Sequence, residues 1–209
     1  QPSPSRGEGV SIRSPIGLSL VVSVLESHEV VRRQLVHLNS VLTPECELIL
    51  IDDGSDPSLE QTCDSVGKGF PFRLLSTQDR RPCTPPKASN LGASVARADK
   101  LLFFDIDHII TPTIIEACLR TGGDRLHWQR RAGVLDEQGD VVTEQSVLKE
   151  HGMKEEFVTL HINSYMIRRD LFDLLGGYDE RFCGGYGGDD VDFNDRYDRS
   201  CFTFSWKAI

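Results

Sequence analysis

The chain has 209 residues, 39% hydrophobic and 26% charged, enough to bury the core of one α/β domain. Its formal net charge of −9 argues against nucleic acid or anionic membranes as partners, and an anionic substrate would need a cation or a few local basic groups. The six cysteines form no C-x-x-C pair, and no apolar run reaches the roughly 20 residues that form a transmembrane segment, so the expected location is cytoplasmic, at most peripheral to a membrane.

Residues 1–15, rich in Ser, Pro and Gly, read as a flexible leader, and the fold is expected to fill 16–209 as a single domain. Residues 18–25 are almost wholly apolar, the pattern of a strand buried on both faces, and Val31, Leu35 and Leu38 follow at helical spacing. Residues 46–51 make a second such strand, which stops at Asp52-Asp53-Gly54-Ser55-Asp56-Pro57, a cluster of turn formers. The spacing predicts a helix over 59–66, a strand over Phe72–Ser76 and a helix over 85–98 with proline in its first turn. Residues 101–104 then run into Asp105-Ile106-Asp107, and Pro112 opens another helix through Leu119. This alternation predicts an α/β fold with a mostly parallel central sheet flanked by helices. Ligands bind beyond the carboxyl ends of such strands, where both acidic clusters fall.

Further along, 132–142 reads as a hairpin around Glu137-Gln138-Gly139-Asp140, 157–167 as a strand, and 169–175 as a short helix ending at Gly176-Gly177. Gly184-Gly185-Tyr186-Gly187-Gly188 leads into Asp189-Asp190-Val191-Asp192-Phe193, the acidic first turn of a final helix. The apolar end, 202–209, has no closing turn, so the native protein is expected to continue.

If the strand entering Asp105 stays extended, Asp105 and Asp107 face the same side and present their carboxylates to one site beside Asp52 and Asp53. Gathered carboxylates repel one another unless a cation joins them, and hard oxygen ligands favour Mn²⁺ or Mg²⁺, which keep positions open for substrate phosphates. Asp52-Asp53-Gly54-Ser55 has a second reading, an Asx-type turn capping the next helix. Lys87 and Asn90, three apart on a helix, share a face that also reads as solvated surface. The glycines of 184–188 would let backbone approach a sugar closely, and they equally suit a loop before a helix N-cap. His108, His151 and His161 stand near these segments, and His161 is carried forward as a candidate ligand.

Six segments in order carry a resemblance. They are Leu18-Ser19-Leu20-Val21-Val22-Ser23-Val24, Ile51-Asp52-Asp53-Gly54-Ser55, Lys87-Ala88-Ser89-Asn90-Leu91-Gly92, Phe104-Asp105-Ile106-Asp107, Gly176-Gly177-Tyr178-Asp179-Glu180-Arg181-Phe182 and the block 184–193. Over nearly its whole length the chain resembles the family 2 inverting glycosyltransferases of GT-A fold. The Lys-x-x-Asn-x-Gly element and the Gly-Gly-acidic-Asp block look like chondroitin-polymerase-type and galactosyltransferase-type members. The resemblance implies transfer from a nucleotide-sugar, UDP-sugar favoured, to a hydroxyl of a carbohydrate or glycoconjugate acceptor, with inversion, in polysaccharide or glycoconjugate synthesis.

The resemblance also implies roles. Asp52 or Asp53 meets the base or ribose, with Lys87, Asn90 and Ile106 at the nucleotide-sugar. Asp105 sits near the ribose and the metal, Asp107 on the metal, and His161 stands in for a histidine that many members supply further along. Asp190 matches the general base, and Asp189, where the family has Glu, joins Tyr186, Gly187 and Gly188 at the acceptor. Glu26-Ser27 replaces the family's aromatic-Asn pair. The alternative left open is a non-catalytic or truncated nucleotide-sugar-binding domain. A sugar-phosphate nucleotidyltransferase should carry a basic Gly-rich loop after the first strand, and Leu25-Glu26-Ser27-His28 has none.

Overall fold

A computed structural model describes residues 16–79, 81–135, 141–142, 144–152 and 157–201. The leader 1–15, the hairpin tip 137–140 and the end 202–209 lie outside the described residues. In chain order the elements are β1 (Leu18–Val24), α1 (His28–Val41), β2 (Cys46–Asp52), α2 (Glu60–Asp64), β3 (Phe72–Ser76), α3 (Pro85–Val95), β4 (Lys100–Phe103) and α4 (Pro112–Arg120). Then follow β5 (Arg125–Ala132), β6 (Val134–Leu135), β7 (Val141–Val142), α5 (Gln145–Glu150), β8 (Phe157–Arg168), α6 (Arg169–Leu174), a 3-10 turn (Glu180–Phe182) and α7 (Asp189–Cys201).

The main sheet has the order β3-β2-β1-β4-β8-β5. β1 to β4 pair in parallel, and β8 enters antiparallel between β4 and β5. The expected mostly parallel α/β sheet is therefore present. Side chains alternate along β1: Leu18, Leu20, Val22 and Val24 pack against α1, α2 and α4, while Val21 faces α3, α6 and α7 with Ile49 and Ile51. Burial on both faces explains why β1 and β2 read as unbroken apolar runs.

Several boundaries differ from the sequence expectation. β5 and α5 were not expected. β5 presents only Leu126 and Trp128 to the first core layer, while its alternate positions Arg125 and His127 meet Tyr165 on the other face, so its pattern looks like charged surface. The helix expected over 85–98 stops at Val95, because side chains take the backbone donors that would continue it. Arg97 N–H goes to Glu47 Oε1 at 2.7 Å and Ala98 N–H to Ser19 Oγ at 3.1 Å. The helix expected over 59–66 is shorter, Glu60–Asp64.

Glu47 is 1% exposed in the middle of the sheet. It accepts from Ser19 Oγ (2.6 Å), Arg97 Nε (2.8 Å) and Arg73 Nη2 (2.9 Å). Burial pushes its carboxyl up, but these donors outweigh burial and hold it below its ordinary 4.5. A depressed carboxyl stabilises the fold above the unfolded value and loses that contribution as pH falls through the folded one. Urea midpoints should therefore drop below pH 4.5 in the native protein, and the part due to Glu47 should vanish in Glu47→Gln. Gly92 lets α3 lie directly on the sheet, since a Cβ there would stand 2.4 Å from Val21 Cγ1 and 2.8 Å from Ile51 Cδ1. Gly92→Ala should cost about 1–3 kcal/mol by urea unfolding, although removing a helical glycine alone would stabilise.

Candidate functional site

Both acidic clusters lie at the carboxyl ends of parallel strands, β2 and β4, with β1 between them, and the second does not present two residues on an extended strand. β4 ends at Phe103, and the chain turns at once, with His108 N–H bonded to Asp105 C=O at 2.9 Å. The turn separates the two carboxylates. Asp107 is left 71% exposed, 3.9 Å from His108, while Asp105 turns inward. Asp105, His108 and His161 bring one ligand atom each within 4.8 Å of one another, the one such group among the described residues.

The geometry of β8 explains this grouping. Tyr165 pairs with Phe103, so the residues before Tyr165 run beyond the end of β4, alongside the Asp105 turn. Opposite β5, β8 uses four residues, 161–164, where β5 uses one, Trp128. This bulge turns His161 and Ser164 towards the acidic turn. His161 Nε2 lies 3.5 Å from Asp105 Oδ2, and the two imidazoles meet edge to face at 4.6 Å. His108 Nδ1 is 2.6 Å from Ser164 Oγ, and His108 Nε2 is 3.1 Å from Arg130 Nη1 on β5. Burial raises Asp105 and, more strongly than the nearby acids oppose it, lowers His108. His108, Ser164 and Arg130 had no spacing signal in the sequence, since an antiparallel pairing and a bulge bring them in.

Asp52 and Asp53 close β2, both nearly buried at 4% and 5%. The Asx-turn reading holds for Asp52, whose two oxygens accept from Ser55 N–H and Leu59 N–H, each at 2.9 Å. Asp53 Oδ1 accepts from Thr77 (2.9 Å) and Thr84 (2.5 Å), and burial still raises its carboxyl. Beside them a groove of about 510 Å³ is lined by Asp52, Gly54, Ser55, Ser76 and Gln78. Lys87 pairs with Asp79 at 3.0 Å, and Arg81 holds the same carboxylate, which they depress well below its usual range, Arg81 most strongly. Glu26, Ser27, Gln78 and Cys83 all adopt left-handed backbone in the loops around this edge. Such conformations concentrate at binding sites. A groove of similar size, lined by Asp99, Lys100, Arg168 and Arg169, lies at the amino end of β4. Its Lys100 is committed to the carbonyls of Cys118, Leu119 and Thr121.

Asn90 does not stand free on a helix face. Its Nδ2 donates to Tyr178 C=O (2.9 Å) and Glu180 Oε1 (3.0 Å), and its Oδ1 accepts from Tyr178 N–H (2.9 Å). Gly177, at φ 65°, permits this approach, since a Cβ there would lie 2.6 Å from Asn90 Oδ1. Tyr178 in turn stacks on fully buried Phe193 of α7 (4.7 Å) and shares a 2.7 Å hydroxyl contact with Tyr165. Arg125 covers Tyr165 and Tyr197 and donates to Asn194 Oδ1 at 2.6 Å. This aromatic cluster fixes the start of α7, where Asp189 and Asp190 lie half-buried. Burial raises Asp189. Ahead of them Gly187 and Gly188 take positive φ and Tyr186 is 97% exposed.

The family model described as glycosyl transferase family 2 matches residues 19–162, so the chain belongs to that family. Among solved structures, S. aureus TarS 1-349 in complex with UDP-GlcNAc is similar at TM-score 0.65 and 18% identity, covering 87% of this chain and 53% of that one. TarS 1-349 in complex with UDP gives TM-score 0.60 and 17% identity, covering 85% and 54%. The mannosyltransferase PcManGT of Pyrobaculum calidifontis, in complex with GDP-Man and Mn²⁺, gives 0.52 and 12%, covering 84% and 50%. The fold is thus the GT-A fold of glycosyltransferases, and the chain spans about half the length of these structures. No curated protein sequence matches the chain. No helix among the described residues is long and apolar enough to cross a membrane.

Removing the Asn90 amide leaves the buried Tyr178 backbone without partners. Asn90→Ala should lower stability by about 1–3 kcal/mol in urea unfolding, and unchanged stability would show that water replaces the amide fully.

Proposed function

We propose that this domain transfers a sugar from a nucleotide-sugar, UDP-sugar favoured, to an acceptor hydroxyl of a carbohydrate or glycoconjugate with inversion. The observation that carries the reading is the gathering of Asp105, His108 and His161 at the same sheet edge as the Asp52–Asp53 turn. Family membership and the UDP-bearing TarS structures support the donor class.

The groove beside Asp52 takes the nucleoside. Asp52 lines it, and Asp53, Asp105 and Ile106 are assigned to the base and ribose by the family resemblance. Lys87, with Asn90 bracing the loop that follows α6, contributes positive charge towards the diphosphate. A divalent cation fits this chain. His161 Nδ1 is a buried atom without a hydrogen-bond partner among the described residues, and its Nε2 lies 3.5 Å from Asp105 Oδ2. One carboxylate and two imidazoles would hold the ion, with Asp107 at its outer side, and the nitrogen donors favour Mn²⁺ over Mg²⁺. Bound there, it would neutralise the diphosphate leaving group.

Asp190 takes the proton from the acceptor hydroxyl as that oxygen attacks the anomeric carbon from the face opposite the diphosphate. Val191 N–H donates to Asp190 Oδ1 at 2.7 Å, which fixes the carboxylate at the positive end of α7. Asp189 holds the acceptor hydroxyl, exposed Tyr186 offers a ring face to the acceptor sugar, and Gly187 and Gly188 let backbone close on it.

Asp190→Asn should bind UDP-sugar with unchanged affinity by calorimetry while transfer falls about 10²–10⁴-fold. Equal transfer by the two proteins would remove Asp190 from the base role. A wild type that binds no nucleotide-sugar across a donor panel with Mn²⁺ would overturn the reading.

A further inference from the structure

The imidazole of His108 has two nitrogens and, when neutral, one lone pair. Arg130 Nη1 stands 3.1 Å from His108 Nε2, and a guanidinium can only donate, so Nε2 is the acceptor. Nδ1 then carries the proton and donates to Ser164 Oγ at 2.6 Å. Ser164 is 2% exposed, so this second bond is locked by burial and fixes the tautomer. The Nε2 lone pair is therefore the one His108 can offer to a cation, and Arg130 already holds it.

A guanidinium and a divalent ion cannot share one lone pair, and their charges repel at that separation. The positive charge of Arg130 also acts on Asp105, to which it makes no direct bond among the described residues. Its hold is incomplete, for Arg130 Nε is buried with no hydrogen-bond partner among the described residues. Its backbone is fixed opposite Thr159 in the β5–β8 pairing, so the side chain is the part that moves.

We propose that Arg130 is a resident placeholder for the divalent cation: its guanidinium caps His108 and must leave before an ion can bind Asp105, His108 and His161 together. The proposal rests on the cation site described above. Arg130 is thus a positioning residue that sets metal affinity. Nothing in the proposal requires that Arg130 touch the sugar.

The test uses Mn²⁺ alone, without nucleotide, titrated calorimetrically into the whole chain, with thermal melting confirming that each variant is folded. Arg130→Met removes both the donor and the charge, and should tighten Mn²⁺ binding about tenfold. Arg130→Lys keeps the charge and should stay near the wild type. Adding His108→Gln to Arg130→Met should abolish the gain, which ties it to the Nε2 lone pair. Equal or weaker Mn²⁺ binding by Arg130→Met overturns the proposal, as does a gain that survives His108→Gln. If neither wild type nor Arg130→Met binds Mn²⁺, the proposal fails with the cation site. The transferase reading is judged separately, by donor binding and sugar transfer.

Discussion

The pairing of β8 against β4 is the constraint on which the candidate site depends. A fully parallel sheet would continue with another crossover and leave the carboxyl end of β4 open to solvent. An antiparallel strand instead carries its own early residues past that end. Phe103 opposite Tyr165 sets the register, and the residues ahead of Tyr165 then lie over the Asp105 turn. The bulge at 161–164 aims two of them inward. The same strand places Tyr165 under α7, so one pairing positions both the acid–imidazole group and the helix bearing Asp189 and Asp190.

Polar groups organise the other half of the sheet. Glu47 is held by three side chains from neighbouring elements, and with Ser19 it draws off the backbone donors that would lengthen α3. The helix therefore ends where the chain must turn into β4. Gly92 brings α3 down on β1 and β2, and Asn90, two residues earlier, reaches across to Tyr178. The Lys-x-x-Asn-x-Gly element thus does three separate jobs on one helix: Lys87 faces the Asp79 loop, Asn90 secures the loop before α7, and Gly92 sets the depth of packing.

Electrostatically, the edge collects acids in a chain that is already negative, and it manages them in different ways. Asp52 is satisfied by backbone donors, Asp53 by hydroxyls, and Asp79 by Arg81 and Lys87. Asp105 meets imidazole and lies near the guanidinium of Arg130. Acids already matched to fixed donors are poor metal ligands, because a cation would have to displace those donors. That difference separates Asp105 from Asp52 and Asp53, which have equally good positions at strand ends.

The amino-acid sequence by itself determined the strand–helix alternation, the buried parallel strands, the acidic turns at their carboxyl ends and the family, because apolar periodicity and turn chemistry are local. It also contained the Asx turn at Asp52 as one of two readings. Only the tertiary structure decided which acids stand together. The extended reading of Asp105 and Asp107 failed because β4 stops at Phe103 and turns, leaving Asp107 outward. β5 went unread because its alternate positions, Arg125 and His127, cover an aromatic layer rather than water. His108 comes from the turn after β4, His161 and Ser164 from the bulged part of β8, and Arg130 from β5, while Asn90 finds its partners 88 and 90 residues away. Such contacts are set by strand register and packing depth, which no local spacing in the chain encodes.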